Sequence, residues 1–456
     1  MKCKKIVKTL SLTMVLTFVA ALAGCGGQGG GGAAPVADAE PTPPDELSGR
    51  VVVGGWPAGD EALQSVEHIF TDLFPNVEVD YQFMATEDFR QALITSLAAG
   101  SGAPDVVMIE GAWIGELRES PALENLFDAP YNAGRLANQF VDYRWELAQS
   151  LDGRLTAIPW DIGPATLFYR RDIFQEVGLP YEPEDVEASL STWDGFLQAA
   201  AAVSIPGERW LIPEAPSMFY WLFMNRDFFN ERLEFQLNRP GAVEALEAAI
   251  VMRNNGWDAQ VGMWSTEANA GKAGGNIVAT VAGAWYGGFL KTWVSPENEG
   301  NWGVVRLPAG IPDSNWGGSF LAIPSQSSNK EAAWAYIETL MASPEAQNIM
   351  FETVDYFPAL VTAWDDPIYT YEDAWFAGQR TRELWVDIAS NTVPNLTTMI
   401  DGPVEGHIMD SVNTGLNQGM NAQEIMDYVY EFINSTMREE RAAAIDVLRD
   451  AGRWHE

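Results

Sequence analysis

The strongest constraint on the fold is an alternation of strand-like and helix-like segments in the first quarter of the chain. Segments typical of strands lie at 51–53, 77–83 and 103–109. Between them, apolar residues recur at helical spacing from Leu63 to Leu73, and again before Gly100, where a second helix is predicted to end. This order predicts βαβ units and a parallel sheet. In such sheets a bound molecule lies beyond the carboxyl ends of the strands.

Length and composition predict two globular domains without disulfide bonds. The chain has 456 residues, and about 400 of them follow the amino-terminal segments, which is more than one compact core holds. A hydrophobic content of 47% with 18 tryptophans indicates a well-packed interior. The only cysteines are Cys3 and Cys25, so apolar burial must supply the stability. The later part is richer in predicted helix, notably at 331–342 and 421–438.

The amino terminus has the layout of an export signal. Four lysines precede an apolar run of about 15 residues, too short to span a bilayer. The run ends in Leu22-Ala23-Gly24-Cys25, which resembles a lipobox. We therefore predict a signal peptide at 1–24 and a lipid on Cys25 that anchors the protein to the membrane, outside the cytoplasm. Residues 25–49, rich in glycine and proline, predict a flexible tether. An ordinary secretory signal with a chance cysteine is the alternative.

The formal charge of −36 at pH 7 limits the possible partners. An acidic surface repels nucleic acid and anionic lipid headgroups, so neither is expected to bind. The same acidity would suit a cationic solute such as a polyamine, or it serves only to keep the surface soluble. Both interpretations stay open.

Motifs of catalysis are scarce. The three histidines, His68, His407 and His455, are far apart and lack the spacing of a metal site, so neither a metal nor a cofactor is expected. No Gly-x-Ser-x-Gly or His-Glu-x-x-His motif occurs. A pair of carboxylates, as in glycoside hydrolases, is the remaining route to an enzyme, and 63 acidic residues make any chosen pair uninformative. We predict a protein that is not an enzyme, with a glycoside hydrolase as the alternative.

Several tryptophans lie beside glycine or polar residues where predicted loops begin. An aromatic ring covers the C–H face of a sugar, while neighbouring carboxylates and amides accept from its hydroxyls. Any one of these tryptophans could instead belong to the core. The group has weight because its members follow strands or bends of the chain: Trp56, Trp113, Trp160, Trp285 and Trp316.

Six sequence blocks, in order, resemble the substrate-binding proteins of ATP-driven (ABC) importers, the extracellular family 1 that includes maltose- and oligosaccharide-binding proteins. They are Phe74–Val79, Gly100–Val107, Leu151–Phe174 with its Leu-Asp-Gly-Arg-Leu start, Ser191–Phe196, 302–334 with Trp302–Pro308, Gly317–Ile323 and Asn329–Trp334, and Val393–Asn395. Arg170 departs from the asparagine usual in the third block, and the last helices lack an aromatic residue that some maltodextrin binders carry.

This resemblance implies an α/β, two-lobed periplasmic-binding-protein fold (type II), with a multi-strand hinge and a ligand cleft between the lobes. Lobe 1 would comprise 50–160 and 319–355, and lobe 2 would comprise 161–318 and 356–456. The implied function is capture of a carbohydrate, an oligosaccharide, by hinge closure and its delivery to the permease subunits of the importer. The protein is expected to act as a monomer.

The resemblance and the strand ends together predict the ligand site. Trp285 is expected to be the main stacking surface, while Trp160 and Asp161 would meet the ligand from the hinge. The other predicted contacts follow the first strand, the third strand and the return to lobe 1: Trp56, Asp60, Glu110, Trp113, Trp316, Gly317 and Gly318.

Overall fold

The structure is a computed structural model that describes residues 41–224, 228–393 and 397–450, with 452 and 454. The predicted signal peptide, Cys25 and the first part of the tether lie outside the described residues, as do Pro394 and Asn395 of the last sequence block. Among the described helices, none has both the length and the apolar character that crossing a membrane requires.

The described ranges contain ten β-strands. In chain order they are β1 (Gly49–Gly55), β2 (Val77–Phe83), β3 (Val106–Glu110), β4 (Ile158–Pro159), β5 (Asp161–Ile162), β6 (Ala165–Arg170), β7 (Ala279–Gly283), β8 (Trp302–Val305), β9 (Ser319–Ala322) and β10 (Phe357–Pro358).

The α-helices of the same ranges number seventeen. They are α1 (Pro57–Leu73), α2 (Thr86–Ala99), α3 (Ile114–Leu117), α4 (Asp142–Leu147), α5 (Arg171–Glu176), α6 (Pro183–Ser189), α7 (Trp193–Val203), α8 (Pro216–Tyr220), α9 (Ala242–Asn254), α10 (Thr266–Gly274), α11 (Tyr286–Phe289), α12 (Lys330–Met341), α13 (Pro344–Val354), α14 (Thr381–Asn391), α15 (Val404–Asn417), α16 (Ala422–Thr436) and α17 (Arg438–Asp450).

The first sheet has the strand order β2-β1-β3-β9-β4. Strand β1 is parallel to β2 and β3, which confirms the predicted βαβ units. Strand β9 is antiparallel to both β3 and β4, so the sheet is mixed rather than wholly parallel. The local alternation that predicted a parallel sheet covers only β1 to β3, so it carried no information on the direction of β9.

The two predicted amphipathic helices pack on this sheet. Proline opens α1, where its missing N–H has no helical partner to lose. Leu63, Val66 and Phe70 are buried as predicted, whereas Leu73, in the last turn, is exposed. Helix α2 ends before Gly100, whose φ of 67° is the left-handed conformation that glycine adopts without a Cβ clash. Helices α12 and α13 pack against α1, and together they bury this face of the sheet.

The second sheet, β7-β6-β8, is antiparallel. Leu167 and Tyr169 of β6 belong to an apolar core that includes α7, α8, α9, α15 and α16. Phe168 points to the other face, where its ring lies 5.5 Å from Tyr286 and 6.3 Å from Phe376, measured between centroids. This alternation is the period of two expected for a strand buried on both faces.

Three stretches of chain connect the two sheets, and we call them the hinge. The first runs from β4 through β5 to β6, and the second leads from β8 to β9 and includes 315–319. The third is β10, which pairs with β5. The lobe ranges stated above stay a prediction.

Candidate functional site

Trp285 and Trp316 form an aromatic pair beside the hinge. Trp285 follows β7, and its indole Nε1 donates to the backbone oxygen of Trp316 over 3.0 Å. Their ring centroids are 6.1 Å apart. Glycine is required on both sides of this contact, because a Cβ on Gly163 would lie 2.6 Å from Trp285 Nε1 and one on Gly283 would lie 2.8 Å from the Trp316 oxygen. The structure thus brings together two tryptophans that were predicted separately.

Trp264 adds a third ring to this pair, and we call Trp264, Trp285 and Trp316 the aromatic surface. The sequence analysis did not predict Trp264. Its ring stacks on Trp285 with centroids 5.7 Å apart and an interplanar angle of 24°. The side chain is 49% exposed, which is unusual for tryptophan because this residue is highly buried on average. Phe289 lies 5.6 Å from Trp285, and Trp293, 53% exposed, lies 5.5 Å from Phe289. An open aromatic face therefore extends along this edge of the second sheet.

Two polar groups border the aromatic surface. The ring of Tyr220 lies 6.1 Å from Trp316, and its hydroxyl donates to Glu405 over 2.8 Å. Glu214 accepts from the backbone N–H of Met263, the residue before Trp264. Burial raises the pKa of the Glu214 carboxyl. Aromatic and carboxylate groups therefore lie close together on the second-sheet side.

The first-sheet side places four predicted residues around the carboxyl ends of β1 and β3. Trp56, at the start of α1, donates from Nε1 to the hydroxyl of Tyr356 over 3.1 Å, and its ring meets Trp113 edge to face at 5.8 Å. Glu110 ends β3 and accepts from the backbone N–H of Ala112 over 2.8 Å. Asp60, within the first turn of α1, is partly exposed and accepts from Gln64. Trp113 itself is buried and contacts Trp56 from the protein interior, so its predicted contact with a ligand stays a prediction.

Trp160 and Asp161 lie inside the hinge rather than on an open surface. Trp160 is 1% exposed, packs edge to face on Tyr356 at 5.3 Å, and its Nε1 has no acceptor among the described residues. Asp161 is 2% exposed and accepts from the hydroxyl of Ser319. A contact of either side chain with ligand stays a prediction, and in this conformation it would require the hinge to expose them. Tryptophan beside a predicted strand end is equally compatible with a core position, which is why sequence could not distinguish the two.

Arg144 forms hydrogen bonds with two of the three hinge stretches. Its guanidinium donates to the backbone oxygens of Asp161, Gly317 and Ser319 over 3.3 to 3.5 Å. Burial raises the pKa of Asp161 to about 6, partly opposed by the Ser319 hydrogen bond and the Arg144 charge. An ionisable carboxylate and a fixed guanidinium thus lie where the chain crosses between the sheets.

Gly317 and Gly318 have left-handed φ values of 76° and 86°. A Cβ on Gly318 would overlap the backbone oxygen of Asp161, so this glycine permits one hinge strand to approach another. The predicted approach of these two glycines to a ligand stays a prediction. Within the described ranges, no group of three His, Cys, Asp or Glu side chains is arranged to hold a metal ion.

The model of the family described as bacterial extracellular solute-binding protein matches residues 68–377, which is more than half of the chain. The chain belongs to this family. Membership places this solute-binding protein outside the cytoplasm and assigns it to a family of binding proteins rather than enzymes.

Individual relatives are distant. The arabinooligosaccharide-binding protein of Halalkalibacterium halodurans is 24% identical over 328 residues, which cover 66% of this chain and 69% of that protein. The lactose-binding protein of Rhizobium radiobacter is 24% identical over 365 residues, which cover 75% and 82%. Among solved structures, the ABC transporter-associated binding protein of B. animalis subsp. lactis, in complex with β-1,6-galactobiose, has a TM-score of 0.69 and 20% identity, and covers 86% of this chain and 98% of its own. The two-lobed α/β fold with a multi-strand hinge is therefore confirmed.

Proposed function

We propose that this solute-binding protein captures an oligosaccharide between its lobes and delivers it to the permease subunits of an ABC importer. The single observation that carries the proposal is the open aromatic surface of Trp264, Trp285 and Trp316. Flat apolar rings beside carboxylates suit a sugar, whose ring has apolar C–H faces and a rim of hydroxyls. The names of the two relatives, which bind arabino-oligosaccharides and lactose, support the same class of ligand.

Closure of the hinge explains how capture would be signalled to a permease. A ligand that contacts both lobes stabilises the closed state, and its binding energy shifts the open–closed equilibrium by its difference in affinity for the two states. The second-lobe contacts would come from the aromatic surface. Those of the first lobe would come from Trp56, Asp60 and Glu110 at the strand ends.

The proposal includes membrane attachment. Cleavage after residue 24 and a lipid on Cys25 would leave the folded part on a tether of about 25 residues, a reach that suits a receptor docking on a permease. The receptor would act as a monomer and need no cofactor. Metabolic labelling with a fatty acid tests the anchor, because Cys25→Ala should lose the label and appear in the soluble fraction. Retention of the label would contradict it.

Calorimetry with the chain from residue 41 onward, where the described structure begins, tests the sugar site. A panel of arabino-oligosaccharides, lactose and β-1,6-galactobiose is first screened by thermal shift, since ligand at about 100 times its Kd adds about 2.7 kcal/mol of stability. Trp285→Ala should weaken binding of the active sugar by about 1–3 kcal/mol, through lost apolar contact. Trp334→Ala is the matched control, because Trp334 packs on Tyr131 in the first lobe and should affect stability alone.

Three outcomes would redirect the proposal. Wild-type affinity in Trp285→Ala would remove this residue from the site. Release of reducing ends from the same sugars would indicate glycoside hydrolysis, because a binding protein leaves its ligand intact. Saturable binding of spermidine, without binding of any sugar, would make the acidic composition the better guide to the ligand.

A further inference from the structure

The backbone of Met263, the residue before Trp264, is held on both sides by ionisable side chains, of which Lys272 is fully buried and Glu214 is partly buried. The backbone N–H of Met263 donates to Glu214 Oε1 over 3.0 Å. The backbone oxygen of the same residue accepts from Lys272 Nζ over 2.9 Å. Because Trp264 is half exposed, its own burial does little to fix its position. The two hydrogen bonds therefore restrain the backbone that presents the stacking ring.

Burial of Lys272 carries a desolvation cost. Its side chain is fully buried in α10, and no described carboxylate forms an ion pair with it. The ammonium lies 5.1 Å from the ring centre of Tyr286, the neighbour of Trp285. Burial lowers the pKa of Lys272 to about 7, and both the charged and the neutral amine can donate to the Met263 oxygen. A methionine of similar length would fill the same space without the desolvation penalty.

A fully buried lysine that carries a desolvation cost and binds the backbone next to the proposed ligand surface indicates a functional constraint. We propose that Lys272 is a positioning residue of the sugar site, which fixes Trp264 against Trp285 through the Met263 carbonyl. The role rests on the proposed function of the aromatic surface. Glu214 restrains the same residue through its N–H, which belongs to the preceding peptide group. Loss of the lysine hydrogen bond should let the backbone around Met263 move. Trp264 would then separate from Trp285, and the aromatic surface would lose one of its rings.

Circular dichroism of the unliganded protein tests the position of the ring directly. Two stacked indoles couple their electronic transitions, and the difference between wild type and Trp264→Ala gives the signal of the Trp264–Trp285 pair. Lys272→Met should lose the same signal, while its melting temperature stays equal or rises because a buried unpaired charge is removed. Lys330→Met is the control, since Lys330 forms a partly exposed ion pair with Glu124 in the first lobe. A retained signal in Lys272→Met would overturn the proposal, and so would an equal loss in Lys330→Met.

A second pair of variants covers the case in which Lys272→Met fails to fold. Glu214→Gln keeps an acceptor for the Met263 N–H and should keep the signal, whereas Glu214→Leu should lose it. Equal signals in both variants would show that hydrogen bonds to the Met263 backbone do not position Trp264, and this would overturn the proposal.

Binding of the arabino-oligosaccharides, lactose and β-1,6-galactobiose separates this inference from the proposed function. Lys272→Met and Trp264→Ala should each lower the affinity for the sugar that wild type binds by about 5- to 30-fold. If Trp264→Ala weakens binding and Lys272→Met does not, the positioning role is wrong and the sugar site stands. If neither Trp264→Ala nor Trp285→Ala changes affinity, the aromatic surface is not the sugar site, and the dichroism result alone then decides what Lys272 holds.

Discussion

The buried carboxylate of Asp161 gives the stability of this protein a defined pH dependence. Its side chain lies inside the hinge, and burial raises its pKa from 3.8 to about 6. The folded state therefore holds a proton between about pH 4 and pH 6 that the unfolded state has released. By linkage, the contribution of Asp161 to stability is fully present below about pH 4, decreases as the pH rises from 4 to 6, and is lost above about pH 6. A shift of about two units corresponds to about 3 kcal/mol.

Asparagine at this position removes the titration and keeps an oxygen for the Ser319 hydroxyl. We expect Asp161→Asn to match wild type below about pH 4 and to exceed it above pH 6 by up to about 3 kcal/mol in the free energy of unfolding. Urea unfolding between pH 3.5 and 8 measures the difference curve, provided that the urea dependence is the same in both proteins. Asp128→Asn, at an exposed position, is the control. Parallel curves for Asp161→Asn and wild type would refute this account of the hinge.

Two further substitutions probe the same region. Gly163→Ala would push its Cβ against the Trp316 carbonyl and Trp285 Nε1, so we expect a loss of about 1–3 kcal/mol of stability in urea unfolding and weaker sugar binding, and unchanged values of both would contradict the close approach. Arg144→Met would remove the guanidinium donor from the Asp161 backbone oxygen and should cost about 1–3 kcal/mol, whereas the oxygens of Ser319 and Gly317 keep hydrogen bonds from the Trp160 N–H and the Asn315 side chain. Because the Arg144 charge opposes the rise in the Asp161 pKa, the same variant should also move the pH midpoint upward, which a pH series of unfolding curves measures.

The parts of the fold that depend on residues close together in the sequence were predictable. Strands β1 to β3 and the helices between them follow from local periodicity. The end of α2 was also predictable, because Gly100 readily adopts the left-handed conformation that ends a helix. The insertion of β9 between β3 and β4 has no local signal, because it pairs residues near 109 with residues near 320. Only the resemblance to a family indicated that the chain returns to its first sheet.

The site shows the same division. Trp285 lies shortly after Gly283 and Trp316 lies directly before Gly317 and Gly318, and the sequence singled out both. Trp264 follows no predicted strand, and its stacking on Trp285 joins residues 21 positions apart whose meeting depends on tertiary packing. The burial of Trp160 and Asp161 was equally inaccessible, since their distance from solvent is decided by Tyr356 and Ser319 from other parts of the chain.

The position of β9 has a consequence for how the chain folds during synthesis. The second sheet is complete once residue 305 has emerged, because all three of its strands lie between 165 and 305. The first sheet begins at residue 49 but lacks a central strand until residues 319–322 arrive. Pairings over such sequence distances form slowly, because a long loop must close before the contacts stabilise it. The half of the protein that is made first is therefore the half whose sheet is finished last.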